Sequence, residues 1–178
     1  MNFVAGGLPG LVVVEPRVFR DDRGFFFEPY HAPRYKAAGI DVDFVQDNHS
    51  LSTKGVLRGL HFQKSPGQAK LIRCARGRIW DVAVDLRPDS ATFRKWWGLE
   101  LDSELHRQLF IPVGFAHGFC VLSDEAEVMY KCSSVYDPAT EAGVSWDDPE
   151  IGVRWPIQDP IVSERDRKAQ SLRAYLAG

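Results

Sequence analysis

A chain of 178 residues with 44% hydrophobic and 26% charged content is long enough to bury one sizeable core and is composed like an ordinary globular protein. Its formal net charge of −2 argues against a dedicated nucleic-acid binder, which carries a basic surplus, yet leaves room for a local positive pocket that takes a small anion. No run approaches the roughly 18 apolar residues of a membrane helix, and the opening MNFVAGGLPG has no basic residue before its apolar part, which argues against a signal peptide.

Leu11 to Val14 is a β-branched run closed by Pro16, a strand signal. Asp21-Asp22-Arg23-Gly24 reads as a turn, and Phe25-Phe26-Phe27-Glu28 resumes an extended segment. Pro33 to Ala38 can form one or two helical turns, with proline at the start and Gly39 as the stop. Asp43 to Asn48 is short and polar at its far end.

From Gly55 the chain becomes a succession of strands: Gly55–Gln63, Lys70–Ala75, Arg78–Leu86, Phe93–Leu101, Arg107–Pro112, Gly118–Leu122 and Ala126–Tyr136. The clearest is IWDVAVDL, with Trp80, Val82, Val84 and Leu86 on one face and Asp81, Ala83 and Asp85 on the other. Such a series with little helix between points to a mainly β antiparallel sandwich or barrel, of which the jelly roll is one kind. The stretch after Asp137-Pro138, SWDDPEIGVRWPIQDP included, reads as irregular. Ser163 then opens a helix to about Leu176, with Ser163-x-x-Asp166 resembling a capping box. No repeat, low-complexity tract or linker divides the chain, so one domain over residues 1–178 is expected. Three cysteines without CxxC spacing, two of them in apolar runs, read as buried reduced thiols of a cytoplasmic protein.

Chemistry concentrates in Gly55–Lys70, GVLRGLHFQKSPGQAK, which sets Arg58, His61, Gln63 and Lys70 in an apolar strand-like setting. Polar groups there are costly unless they meet a ligand or each other. Strict alternation puts His61 and Gln63 on one face and Arg58 on the other, so Arg58 and His61 share a pocket only if the strand bulges near Gly59. Tyr130, Cys132, Ser134 and Tyr136 share a face by parity, and the Tyr130 hydroxyl is a candidate proton donor. Arg23, Arg58 and Lys70, if turned inward, suit a diphosphate or an enolate oxygen, whereas Arg73 reads as a snorkelling surface side chain. Asp166 is either the fourth residue of the helix cap or an acceptor for a ring N–H of His61; its local pattern favours the cap.

His117, in IPVGFAHGF, follows a Pro-x-Gly-x-x-His spacing similar to the second motif of cupins. Metal cupins add a His-x-His pair and a glutamate. Here His61-Phe62-Gln63 stands at the pair's place and no glutamate follows before Lys70, a poor donor set for a transition metal. No metal is expected, and His117 is a candidate for a ligand pocket or for packing.

Taken together the blocks DDRGFFFE, FVQDNHS, GVLRGLHFQ, DVAVDLR, IPVGFAHGF, MYKCSSVYDP, SWDDPEIGVRWP and VSERD resemble the dTDP-4-dehydrorhamnose 3,5-epimerases, along essentially the whole chain. The resemblance implies a cupin-type jelly roll with a C-terminal helix, free of metal and cofactor, working as a homodimer on a dTDP-linked 4-keto-6-deoxy sugar. By that match His61 is the base, Tyr130 the acid, Asp166 the partner of His61, and Lys70 the group that steadies the enolate. Arg23, Glu28, Gln46, Asp47, Asn48, Arg58, His117, Tyr136, Glu141 and Arg165 would line the nucleotide-sugar site. The family commonly carries lysine where this chain has Arg165, a change of geometry at equal charge. The chemistry suits the residues: a 4-keto group acidifies the C–H bonds at C3 and C5, a histidine can take such a proton, and a cation stabilises the enolate. The alternatives are a single-centre epimerase, a 3,4-ketoisomerase of the same fold class, and a sugar-binding jelly roll without chemistry. Neither nucleic acid nor membrane is an expected partner.

Overall fold

A computed structural model describes residues 1–177. In chain order its elements are β1 (Asn2–Ala5), β2 (Val12–Glu15), β3 (Phe19–Asp21), β4 (Gly24–Phe26), α1 (Ala32–Ala37), β5 (Gln46–Thr53), β6 (Leu57–Gln63) and β7 (Lys70–Arg76). They continue with β8 (Arg78–Asp85), β9 (Trp96–Asp102), β10 (Gln108–Ile111), β11 (Phe115–Val121), β12 (Glu125–Cys132), β13 (Glu141–Gly143), α2 (Glu164–Arg167) and α3 (Leu172–Ala177). Two antiparallel sheets face each other, one of six strands in the order β1-β2-β10-β7-β12-β5 and one of five in the order β13-β6-β11-β8-β9. The β3–β4 hairpin stands apart from both. This is the expected mainly β, cupin-like jelly roll.

The alternation of each strand decides what lies between the sheets. Ile72, Leu109 and Val128 of the six-stranded sheet meet Ile79, Ala83, Leu101 and Phe119 of the five-stranded one in the central core. The opposite face of β8 is apolar too: Val82 and Val84 pack with Leu60, Phe62 and Ala116 under Val144, Ile151 and Leu172 from the C-terminal part. Outside the six-stranded sheet, Val14, Leu71 and Phe110 pack against Tyr35 and Ile40 of the α1 region. Both sheets are therefore covered on two sides, which makes inward-facing polar residues conspicuous.

Four expectations change. Three strands lie outside the expected ones, β1, β3 and the eight-residue β5, QDNHSLST. In β5 the inward residues Gln46, Asn48, Ser50 and Ser52 are polar and Leu51 points outward at 57% exposure, so no apolar alternation marks it. The segment after Asp137 contributes a short strand, β13, beside β6. Strand β12 stops at Cys132, so Ser134 and Tyr136 leave the parity series and lie in a loop. The C-terminal helix is broken in two, because Gln170 bridges to Val144 and takes the backbone out of helical geometry between α2 and α3. All three cysteines are free and buried, and burial pushes the thiols of Cys74 and Cys120 up to about 12.

Candidate active site

The geometry of the site begins with a register shift in β6. His117 of β11 lies opposite His61, but Phe119 lies opposite Arg58, so Gly59 and Leu60 together face Gly118. That extra residue is a β-bulge. It turns Arg58 and His61 to the same side, and both line one cavity. The bulge requires glycine on both strands. Gly59 has φ +134, and a Cβ on it would sit 2.6 Å from the Gly118 Cα, while one on Gly118 would sit 2.8 Å from the Arg58 carbonyl oxygen.

Asp166 reaches His61 because the chain before α2 is pinned to the start of β6. Leu57 N–H donates to the Ile161 carbonyl at 2.9 Å and Ile161 N–H to that of Gly55 at 2.8 Å. Ser163 then caps α2, its Oγ accepting from Asp166 N–H at 3.1 Å. The cap expected from the sequence is thus half present: Ser163 caps, but the Asp166 carboxylate turns away from it. Its Oδ1 lies 2.6 Å from His61 Nε2, and its Oδ2 accepts from Gly59 N–H at 3.4 Å. Burial works to raise the carboxyl pKa, but the hydrogen bonds from His61 and Gly59 outweigh it and hold Asp166 below the usual carboxylate value. With Nε2 engaged by Asp166, the lone pair left for chemistry is on Nδ1.

A second pair sits beside the first. His117 Nε2 lies 2.9 Å from Oδ2 of the fully buried Asp81, whose Oδ1 has no partner among the described residues. The two histidines are direct neighbours across β6 and β11. Asp81 was not singled out from the sequence; the available signal was an aspartate in phase with Ala83 and the core residue Ile79.

From the opposite sheet come Lys70 and Tyr130. The side chain of Lys70, a residue 8% exposed, makes no hydrogen bond or ion pair among the described residues. Burial pulls its ammonium pKa below the ordinary lysine value, against the opposing pull of Cys132, Glu141 and Asp81. Tyr130 packs its ring on the central core while lining the cavity, and burial raises its hydroxyl pKa, keeping the group protonated at neutral pH.

The cavity, about 460 Å³, is lined by His61, Asp166, Lys70, Tyr130, Arg58, His117, Glu141 and Arg165 among the residues anticipated. An adjoining recess adds Gln46, Asn48 and Tyr136. At the mouth, Arg165 donates to both oxygens of Glu141 at 3.0 and 2.7 Å, and Tyr136 Oη donates to the same carboxylate at 2.9 Å. Three anticipated residues lie elsewhere in this chain. Asp47 is on the outer face of β5, paired with Lys131 at 2.9 Å. Arg23 is at the tip of the β3–β4 hairpin, 90% exposed and paired with Asp21. Glu28 pairs with Arg34 beside a separate cavity of about 250 Å³ whose other lining residues are Met1, Arg17 and Phe19, with no histidine or tyrosine for proton transfer. The parity of β5 explains Asp47, since it alternates with the inward Gln46 and Asn48.

The arrangement is chemically able to transfer protons: it sets a histidine paired with a carboxylate on one sheet, a protonated tyrosine on the other, and a buried cation without an ion-pair partner among the described residues between them. Comparison with known proteins agrees with that chemistry. The model of the dTDP-4-dehydrorhamnose 3,5-epimerase family matches residues 6–174. A dTDP-4-dehydrorhamnose 3,5-epimerase of Shigella flexneri is 52% identical over 174 residues, 97% of this chain and 96% of the relative. The crystal structure of a dTDP-6-deoxy-D-glucose-3,5-epimerase from Legionella pneumophila in complex with dTDP-4-keto-L-rhamnose matches with TM-score 0.94 at 44% identity, over 97% of this chain and 93% of that one. A dTDP-4-dehydrorhamnose 3-epimerase of Streptomyces niveus is 44% identical over 168 residues, 93% of this chain and 81% of the relative.

Proposed function

The chain belongs to the dTDP-4-dehydrorhamnose 3,5-epimerase family, and we propose that it inverts C3 and C5 of a dTDP-linked 4-keto-6-deoxyhexose. The observation that carries this reading is the placement of the His61–Asp166 pair and Tyr130 on opposite sheets around one cavity. Inversion needs a proton to leave one face of a carbon and another to arrive on the opposite face, and two groups on facing sheets meet that need.

His61 Nδ1 takes the proton from C5 or C3, and the electron pair of the broken C–H bond moves into the 4-keto group to give an enolate. Asp166 stabilises the imidazolium so formed, and the Lys70 ammonium stabilises the enolate oxygen. Tyr130 returns a proton to the carbon from the other face, and the enolate collapses to the ketone. His61 then releases its proton and the Tyr130 phenolate regains one, so the cycle consumes nothing. Arg58 and Arg165 supply positive charge toward a diphosphate, and Gln46, Asn48 and Tyr136 offer polar and aromatic contacts to the rest of the nucleotide.

A homodimer fits the same reading. The hairpin that carries Arg23 exposes Phe19, Phe25 and Phe26 at 49%, 55% and 66%, an apolar surface in want of a cover. A second copy of the chain would cover it and carry Arg23 and Glu28 toward the partner's cavity. Free buried thiols suit a reducing, cytoplasmic setting, and no helix among the described residues is long and apolar enough to cross a membrane.

The test is incubation with dTDP-4-keto-6-deoxyglucose in heavy water, followed by NMR. Deuterium is expected at both C3 and C5. Incorporation at one carbon alone would make the chain a single-centre epimerase, and none at either by folded protein would leave a binding module. His61→Ala is expected to abolish exchange at both carbons, whereas Tyr130→Phe slows product formation by about 10²–10⁴-fold and proton loss by less. Exchange at the wild-type rate in the His61 variant would refute the assignment of the base.

A further inference from the structure

Helix α2, which carries Asp166, has four residues, too few to hold its own geometry. Upstream it is fixed by the Ser163 cap and the Ile161 bridge; downstream the next tie is Gln170. Apart from His61–Asp166, the ion pair that joins α2 to a sheet, among the described residues, is Arg165–Glu141. Arg165 immediately precedes Asp166. Glu141 opens β13, whose register sets Glu141 opposite Gln63 and Gly143 opposite His61. The contacts therefore close a ring: Asp166 to His61, along the β6–β13 pairing to Glu141, across to Arg165, and back to Asp166 through one peptide unit.

We propose that Arg165 and Glu141 are positioning residues for the catalytic pair, a clamp that fixes the rotation of α2 and with it the Asp166–His61 contact. The bidentate fork defines a plane and so constrains orientation, as a single-point contact would not. Tyr136 Oη donates to Glu141 Oε2 as well, the oxygen that also accepts from Arg165, and so holds the carboxylate in place. An ion pair in which Arg165 is 55% exposed adds little to stability, so its loss leaves the fold standing and acts on geometry instead. The inference rests on the reading of His61 as the base, and it differs from a role of Arg165 in holding phosphate alone.

The test has two arms. In the free protein, the proton of the 2.6 Å His61–Asp166 contact is expected to give a downfield imidazole N–H resonance, assigned by its loss in Asp166→Asn. Arg165→Ala and Glu141→Ala are each expected to broaden it into exchange with water, and Arg165→Lys to restore it in part. In the heavy-water assay at saturating substrate, each alanine variant is expected to lower kcat about tenfold. The same change made in an Asp166→Asn background is expected to cost less than about twofold, because both act through one carboxylate. A resonance unchanged in Arg165→Ala, or an equal loss of kcat with and without Asp166, overturns the clamp. Should the wild-type protein show no exchange at all, the enzymatic reading falls while the NMR arm still decides the clamp. Thermal melting of each variant checks the fold, and Arg165→Gln replaces Arg165→Ala if the latter melts early.

Discussion

Lys70 is a cation held in a mainly apolar interior without an anion to neutralise it, which is unfavourable for the fold and useful for an enolate. Its lowered pKa means that the charged form is less stable in the folded than in the unfolded chain. The cost is therefore fully present where pH lies below the folded value and is relieved as pH rises through that value toward the ordinary 10.5. Lys70→Met is expected to melt at or above the wild-type temperature near pH 7, with that advantage shrinking as pH approaches 10.5, while deuterium exchange falls by about 10²-fold or more. A variant that melts clearly below wild type at neutral pH would contradict this balance. His61, Lys70 and Tyr130 were legible in the sequence because each is a polar group in an apolar strand. Asp81 was not, because an aspartate alternating with Trp80 and Val82 reads as the wet side of a half-buried strand until the second sheet covers it.

At the scale of elements, the bulge in β6 decides whether the site exists. Without the extra residue Arg58 would point away from His61. Gly59→Ala adds a methyl group 2.6 Å from the Gly118 backbone at a φ that side chains rarely adopt. Strain and overpacking together are expected to cost about 2–5 kcal/mol, or a fall in Tm of about 5–20 °C at this chain length. A thermal melt within about 1 °C of wild type would show that β6 relaxes without its bulge. The glycine itself was readable as a place where a bulge could form; its partner Gly118 was not, since pairing between β6 and β11 is a non-local fact. Strand β5 escaped notice for a related reason. Its inward side is polar because it faces the cavity recess rather than core, so the periodicity that reveals other strands is absent where a strand serves the site.

For the whole molecule, the two sheets divide the labour. The five-stranded sheet carries His61, His117 and Asp81, the six-stranded one carries Lys70 and Tyr130, and the C-terminal segment carries Asp166 over to β6. Arg23 and Glu28 stand outside the cavity of their own chain. If a second copy brings them in, then equal amounts of His61→Ala and Arg23→Ala protein, mixed and allowed to exchange subunits, should recover about a quarter of wild-type activity, since half the dimers are mixed and each has one intact site. Mixed protein no more active than the better parent, with exchange verified by mass, would place Arg23 outside any shared site.

The sequence by itself determined the β class, the burial of the cysteines and the polar residue types that meet in the cavity, because alternation and misplaced polarity are local properties of a strand. It also carried the ordered blocks that place the chain in its family. The tertiary structure decided what depends on pairing. It turned Arg58 and His61 to one side through the bulge at Gly59, and it bound Asp166 to His61 across the fold rather than to its own helix cap. It buried Asp81 behind His117 and tied Arg165 to Glu141 at the cavity mouth. Each of these joins residues distant in sequence or sets a register between strands, and no local pattern of side chains encodes such a register.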